Sequence, residues 1–205
     1  MRIDAHAHVF QEPKISLFEG STPFMSVEQQ LAVMEKHGID KAVILPCVTI
    51  ETTPEVQSIA EVLNICKQYP EKFIPFCNID PRMKSSVYKI NSSHYEFILN
   101  QYKELGCKGL GEVVTNINFD DPRMMMLFEA CQKVGFPVTF HTTVPNSDDY
   151  GIIDDVGFPR FEKVLQEYPD LIFFAHSQAF WAEISGDVKR EDKWDYPEGP
   201  VKPGG

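Results

Sequence analysis

The chain of 205 residues is 43% hydrophobic and 24% charged, the composition of a soluble globular domain long enough to bury a core. Thirty acidic against 19 basic residues leave a net charge of −11, which argues against a nucleic-acid-binding face and against an anionic membrane surface as partner. Five scattered cysteines (Cys47, Cys66, Cys77, Cys107, Cys131) without a CxxC pattern argue against a disulfide framework, and with no leader-like start and no apolar run of spanning length the expected compartment is the cytoplasm.

In chain order, short β-type runs alternate with helical periods. The first strand is predicted at Arg2–His6 and leads into His6-Ala-His8. Residues two apart on a strand project to one side, so both imidazoles leave the strand end together. Neutral imidazoles aimed at one point suit zinc, iron, nickel or copper better than magnesium or calcium. Asp4 shares their parity and is expected either to support them by a deeper hydrogen bond or to close the bottom of the sheet. Ser26 with Gln29 three residues later starts a helix, and Gly38 ends it.

The second strand is expected at Lys41–Pro46. Thr53-Pro54 then opens a helix whose apolar stripe runs Val56, Ile59, Leu63, Cys66. After a third strand at Lys72–Ile79 comes Asp80-Pro81-Arg82, in which Arg82 is a candidate for holding a substrate carboxylate. Glu112 lies inside the apolar fourth strand, Gly109–Val113. Burying an acid there requires a partner, either a metal or a salt bridge with Lys108, Arg82 or Arg123.

Asp121-Pro122 opens a helix with Met124, Leu127, Phe128 and Cys131 on one face and Gly135 at its end, and the run Met124–Met126 reads as core filler. The fifth and sixth strands, Pro137–His141 and Leu171–His176, each end in a histidine. Four of the six histidines thus stand at strand ends, whereas His37 and His94 carry no such signal. Between these strands the loop Thr142–Gly157, with Asp148, Asp149, Asp154 and Asp155, is either a lid or solvated surface, and its spacing does not fit an EF-hand. Phe180 and Trp181 follow, to line a substrate pocket or join the core.

Strand–helix alternation with unbroken apolar strands predicts a parallel α/β fold. No glycine-rich loop follows the first strand, which favours a (β/α)8 TIM-barrel-type fold over a doubly wound sheet. Helix-to-strand links are short and strand-to-helix links long, placing the working face at the strand C-termini with the histidines. Six β/α units can be counted. The chain is therefore read as one barrel domain over residues 1–205, incomplete, with an irregular tail from 185, in preference to an open six-unit sheet. Neither a GxSxG elbow nor a local Cys–His pair supports serine or cysteine nucleophilic catalysis.

Ile3-Asp-Ala-His-Ala-His, Gly111-Glu112, Pro137-Val-Thr-Phe-His141 and Phe174-Ala-His176 together resemble the amidohydrolase superfamily, and closely its amidohydrolase-2 branch. The resemblance covers essentially the whole chain, in order. It implies a barrel with one or two divalent ions, zinc first, held by His6 and His8, by Glu112 as a shared ligand, and by His141. It gives His176 a second-metal or substrate-polarising role and leaves Arg82 and Trp181 as substrate contacts. The family's strand-eight aspartate has no counterpart, as in a truncated chain of weak or no activity. The implied reaction is hydrolysis of a small molecule at a C–N or ester/lactone bond by a metal-activated water. The alternatives are non-oxidative decarboxylation of an aromatic or unsaturated acid, a phosphoesterase, which the acidic charge does not favour, and a metal-binding remnant without turnover. The expected partner is a small molecule, with homo-oligomerisation left open.

Overall fold

Six apolar runs, each with β-branched or aromatic residues, form parallel strands that add to one another in chain order. They are β1 (Ile3–Ala7), β2 (Lys41–Ile44), β3 (Phe73–Pro75), β4 (Leu110–Val113), β5 (Val138–Thr143) and β6 (Phe173–His176). The computed structural model describes residues 1–205 except 50, 52, 54, 194–201, 203 and 205. β1 pairs with β2 through Ile3↔Lys41, and β2 with β3 through Ala42↔Phe73. β4 pairs with β5 through Leu110↔Val138, and β5 with β6 up to His141↔His176. The two ladders join at the bridge Cys77↔Leu110, where Lys108 N donates to Pro75 O at 2.9 Å, Cys77 N to Gly109 O at 3.0 Å and Gly111 N to Cys77 O at 2.8 Å.

A helix follows every strand: α1 (Val27–His37), α2 (Ile59–Gln68), α3 (Ser92–Glu104), α4 (Pro122–Val134), α5 (Pro159–Glu167) and α6 (Gln178–Glu183). This is the βα repeat of a TIM barrel, traced through six of its units. Local chemistry sets the helix ends. Ser26 and Gln29 form a reciprocal capping box on α1, and Gly38 and Gly135 close α1 and α4 in the left-handed conformation.

One expected start is corrected. Pro54 lies outside the described residues, and α2 begins later, with Ser58 Oγ accepting from Glu61 N at 3.1 Å. Val56 precedes this helix and is exposed, because the hydroxyl cap, not the Thr-Pro pair, ends the preceding loop. In the tail, residues 194–201, 203 and 205 are outside the described set, and a 3₁₀ turn occupies Arg190–Asp192.

The core lies in separate parts. Ala42 and Ile44 pack outward with Val62, Ile65 and Met34 of the first helices. Val43, Leu45 and Phe76 face the other way and fill the barrel interior. The larger cluster builds on β4, β5 and α4, where the Phe140 ring lies 4.9 Å from Phe119 and 5.0 Å from Phe161, both near edge-to-face or tilted. Among the described residues no helix is long and apolar enough to cross a membrane.

Candidate metal centre

The strand ends deliver their polar residues to one point. His6 on β1 and His8 just beyond it project together, as their shared parity requires, and their Nε2 atoms come within 3.0 Å. His8 Nδ1 faces Leu45 O at 2.9 Å, a backbone contact that leaves Nε2 as the ring's free lone pair when Nδ1 carries the proton. Between the histidines from the two sides of the arc stands Glu112 of β4.

Each oxygen of Glu112 serves a different pair. Oε2 lies 3.1 Å from His8 Nε2 and 3.5 Å from His6 Nε2. Oε1 lies 3.2 Å from His141 Nδ1 and 3.5 Å from His176 Nε2. One donor atom each from His6, Glu112 and His176 falls within 4.8 Å of the other two, a spacing able to hold an ion. The acidic partner of the fourth strand is thus a ring of imidazoles. Arg82 pairs instead with Asp80, at 2.7 Å, and with Glu51, while Arg123 pairs with Asp121 at 2.7 Å.

The electrostatics fit a cation. Burial opposes ionisation of Glu112, yet His141 and His8 hydrogen bonds and the neighbouring imidazoles hold its carboxyl well below the usual carboxylate range. Burial pushes His6 down to about 4 despite the attraction of Glu112. It lowers His176 as well, whereas at His8 the contacts with Cys47 and Glu112 outweigh burial and raise it. His6 Nδ1 and His141 Nε2 are buried without a hydrogen-bond partner among the described residues. Four imidazoles and an ionised carboxylate form a donor set that suits zinc, manganese or a similar divalent ion.

The backbone sets these positions closely. A Cβ on Gly111 would stand 2.6 Å from Thr139 O, and its φ of 144° lies in the region that favours glycine, so only this residue lets β4 carry Glu112 so near β5. Asn78, at the end of β3's apolar run, donates Nδ2 to Glu112 O at 2.5 Å. Cys47 Sγ lies 3.3 Å from His8 Nδ1. Sequence reasoning singled out neither residue. An amide terminating the run Lys72–Ile79 is the signal that would have marked Asn78, while nothing local marks Cys47. Asp4 receives His6 N at 3.1 Å and so braces the backbone of the pair.

Trp181 lies on α6, 46% exposed, with its ring 6.1 Å from Phe180, which packs on the core. Tyr150, on the loop after β5, lays its ring 4.4 Å from His141. In the same loop Asp154 is neither lid nor surface. It is buried and accepts Phe161 N at 2.8 Å and Arg160 N at 3.1 Å, capping α5 where Phe158 offers no side-chain cap.

No family model and no curated protein matches the sequence. Solved structures do. An uncharacterized TIM-barrel protein from Bordetella bronchiseptica aligns at 23% identity and a TM-score of 0.55, over 78% of this chain and 53% of its own. A 2,6-dihydroxybenzoate decarboxylase from Rhizobium aligns at 14% identity and 0.53, over 98% and 74%. A protein from Agrobacterium tumefaciens aligns at 14% and 0.53, over 94% and 62%. The chain spans about half the length of the Bordetella protein, 53% of it, and what it shares with all three is the barrel fold.

Proposed function

From this shared barrel and the ring of donors at its mouth, we propose that the chain carries the divalent-metal centre of an amidohydrolase-type enzyme, which hydrolyses a small molecule at a C–N or ester/lactone bond. One observation carries the reading: a buried, ionised carboxylate with each oxygen facing a different pair of histidines. A bound divalent ion supplies Lewis acidity and lowers the pKa of a coordinated water toward neutrality.

The chain's own groups do the rest. His6, His8, Glu112, His141 and His176 hold the ion, with zinc the first candidate. Glu112 brings the negative charge that offsets it. His6 and His176, both shifted down, are neutral imidazoles at pH 7, each with one ring nitrogen free to coordinate. His176 has the most open side chain of the four histidines, 36% exposed, and in this reading polarises a substrate carbonyl. Arg82 and Trp181 complete the proposed substrate contacts, although a carboxylate bound at Arg82 must share it with Asp80 and Glu51.

A second reading is decarboxylation of an aromatic acid, supported by the decarboxylase among the structures of like fold. The test supplies the purified chain with Zn2+ or Mn2+ and offers lactones, cyclic amides and 2,6-dihydroxybenzoate, followed by mass spectrometry and CO2 detection. Addition of one water to a lactone or amide, absent in Glu112→Gln, is the expected outcome. CO2 without hydrolysis transfers the assignment to the second reading. Stoichiometric metal without turnover, persisting when a C-terminal segment bearing the strand-eight aspartate is supplied, leaves a binding remnant.

A further inference from the structure

The β5–β6 ladder ends in register at His141↔His176, and Ser177 follows directly after β6. Ser177 has φ 95° and ψ 165°, a conformation open to glycine and strained for any side chain. It opens helix α6, where a serine hydroxyl ordinarily accepts from a helix N–H, yet here it makes no such cap.

The hydroxyl is turned across the sheet instead. Ser177 Oγ donates to Thr142 O at 2.9 Å and accepts from Thr142 N at 3.2 Å. Thr142 is the residue after His141, fully buried, and Ser177 itself is 1% exposed. On its other edge β5 continues into a pairing with Ile152–Ile153, where Thr143 O accepts from Asp154 N at 3.0 Å, while on the β6 edge both backbone groups of Thr142 meet the Ser177 hydroxyl. One hydroxyl therefore replaces two ladder hydrogen bonds at the place where two candidate ligands leave the sheet side by side.

We propose that Ser177 is the positioning residue of the His141–His176 half of the site: a strained serine that, by clamping Thr142, fixes the separation of the two imidazoles for metal binding. The inference rests on the metal reading of the site and adds a residue to it. Backbone strain persists where the surroundings over-determine it. Here the two bonds to Thr142 hold a conformation that the side chain alone opposes.

Two substitutions separate the clamp from the strain. Ser177→Ala keeps the unfavourable φ and loses the hydroxyl, whereas Ser177→Gly loses the hydroxyl but relaxes the backbone. Apo wild type and both variants are titrated with Mn2+ and Zn2+, their Co2+ visible spectra recorded, and the thermal unfolding of each apo form measured. The expected result is metal affinity at least tenfold weaker in both variants and a changed Co2+ spectrum, although apo Ser177→Gly is the more stable of the two. Unchanged affinity in both overturns the proposal. So does affinity that follows apo stability, recovering in Ser177→Gly, because that is the behaviour of a merely structural serine. Wild-type protein that takes up no metal overturns the metal centre itself, and the positioning role with it.

Discussion

The Nε2 atoms of His6 and His8 approach to 3.0 Å, with Glu112 Oε2 3.1 Å from the second of them. Two facing ring nitrogens can share at most one proton between them, and the carboxylate beside them can only accept. Such a cluster is electron-rich at its centre and offers a cation what it lacks in protons.

Removal of ligands distinguishes the two sides of Glu112. His6→Ala combined with His8→Ala strips the Oε2 side and should weaken binding of Zn2+ roughly 100-fold or more, beyond the loss typical of outer contacts. His141→Ala should leave a weaker but measurable site on His6, His8 and Oε2. Glu112→Gln, which removes the charge common to both sides, should leave no stoichiometric metal. Metal analysis after dialysis checks all three, and equal retention in Glu112→Gln and wild type contradicts the shared-carboxylate arrangement.

Acid should destabilise the apo protein through His6. Its folded pKa, about 4, lies below the unfolded 6.5, so the unfolded chain takes up a proton first and stability falls as pH drops from 6.5 toward 4. The lowered Glu112 acts in the same sense below the ordinary glutamate range, and the raised His8 in the opposite sense. Apo His6→Gln lacks the first contribution and weakens that of Glu112, which His6 helps to lower. Its Tm should decline less than that of wild type between pH 6.5 and 4, and an identical decline would show that His6 is not buried neutral.

Gly111→Ala should cost about 3 kcal/mol, the sum of overpacking and left-handed strain. The added methyl meets Thr139 O and Cβ, and β4 must move away from β5 to accept it. Because Glu112 moves with the strand, metal affinity should fall together with stability, measured by chemical unfolding and Zn2+ titration. A variant as stable as wild type would mean that the two strands are not held so closely.

Much of this centre is legible in the linear chain because its parts are strand ends. Apolar runs terminated by His6-Ala-His8, His141 and His176 declare both the element and the polar residue at its mouth, and Glu112 is conspicuous inside the apolar Gly109–Val113. Contacts that cross the sheet leave no local trace. Asn78 acts on Glu112 O, Cys47 on His8, and Ser177 on Thr142, partners 34, 39 and 35 residues away. Asp154 misleads for a different reason: an acid in an Asp-rich loop reads as solvated, yet it caps a helix that begins at Pro159. The Thr53-Pro54 pair was an orthodox helix start displaced by a serine four residues further on, since α2 begins where Ser58 reaches Glu61 N.

The short joint between β3 and β4, held by the Cys77↔Leu110 bridge and the bond from Lys108 N to Pro75 O, gives the molecule a seam. On one side lie β1 to β3 with the Val62 and Ile65 core, and on the other β4 to β6 with the Phe140 core. The five proposed donors straddle it, His6 and His8 from one half and Glu112, His141 and His176 from the other. An ion there would act as a rivet, adding to the main-chain bonds of Lys108, Cys77 and Gly111 that already cross the joint. Hydrogen exchange should report this as slower opening of β3 and β4 amides once Zn2+ is added, with the centres of α3 and α4 little changed.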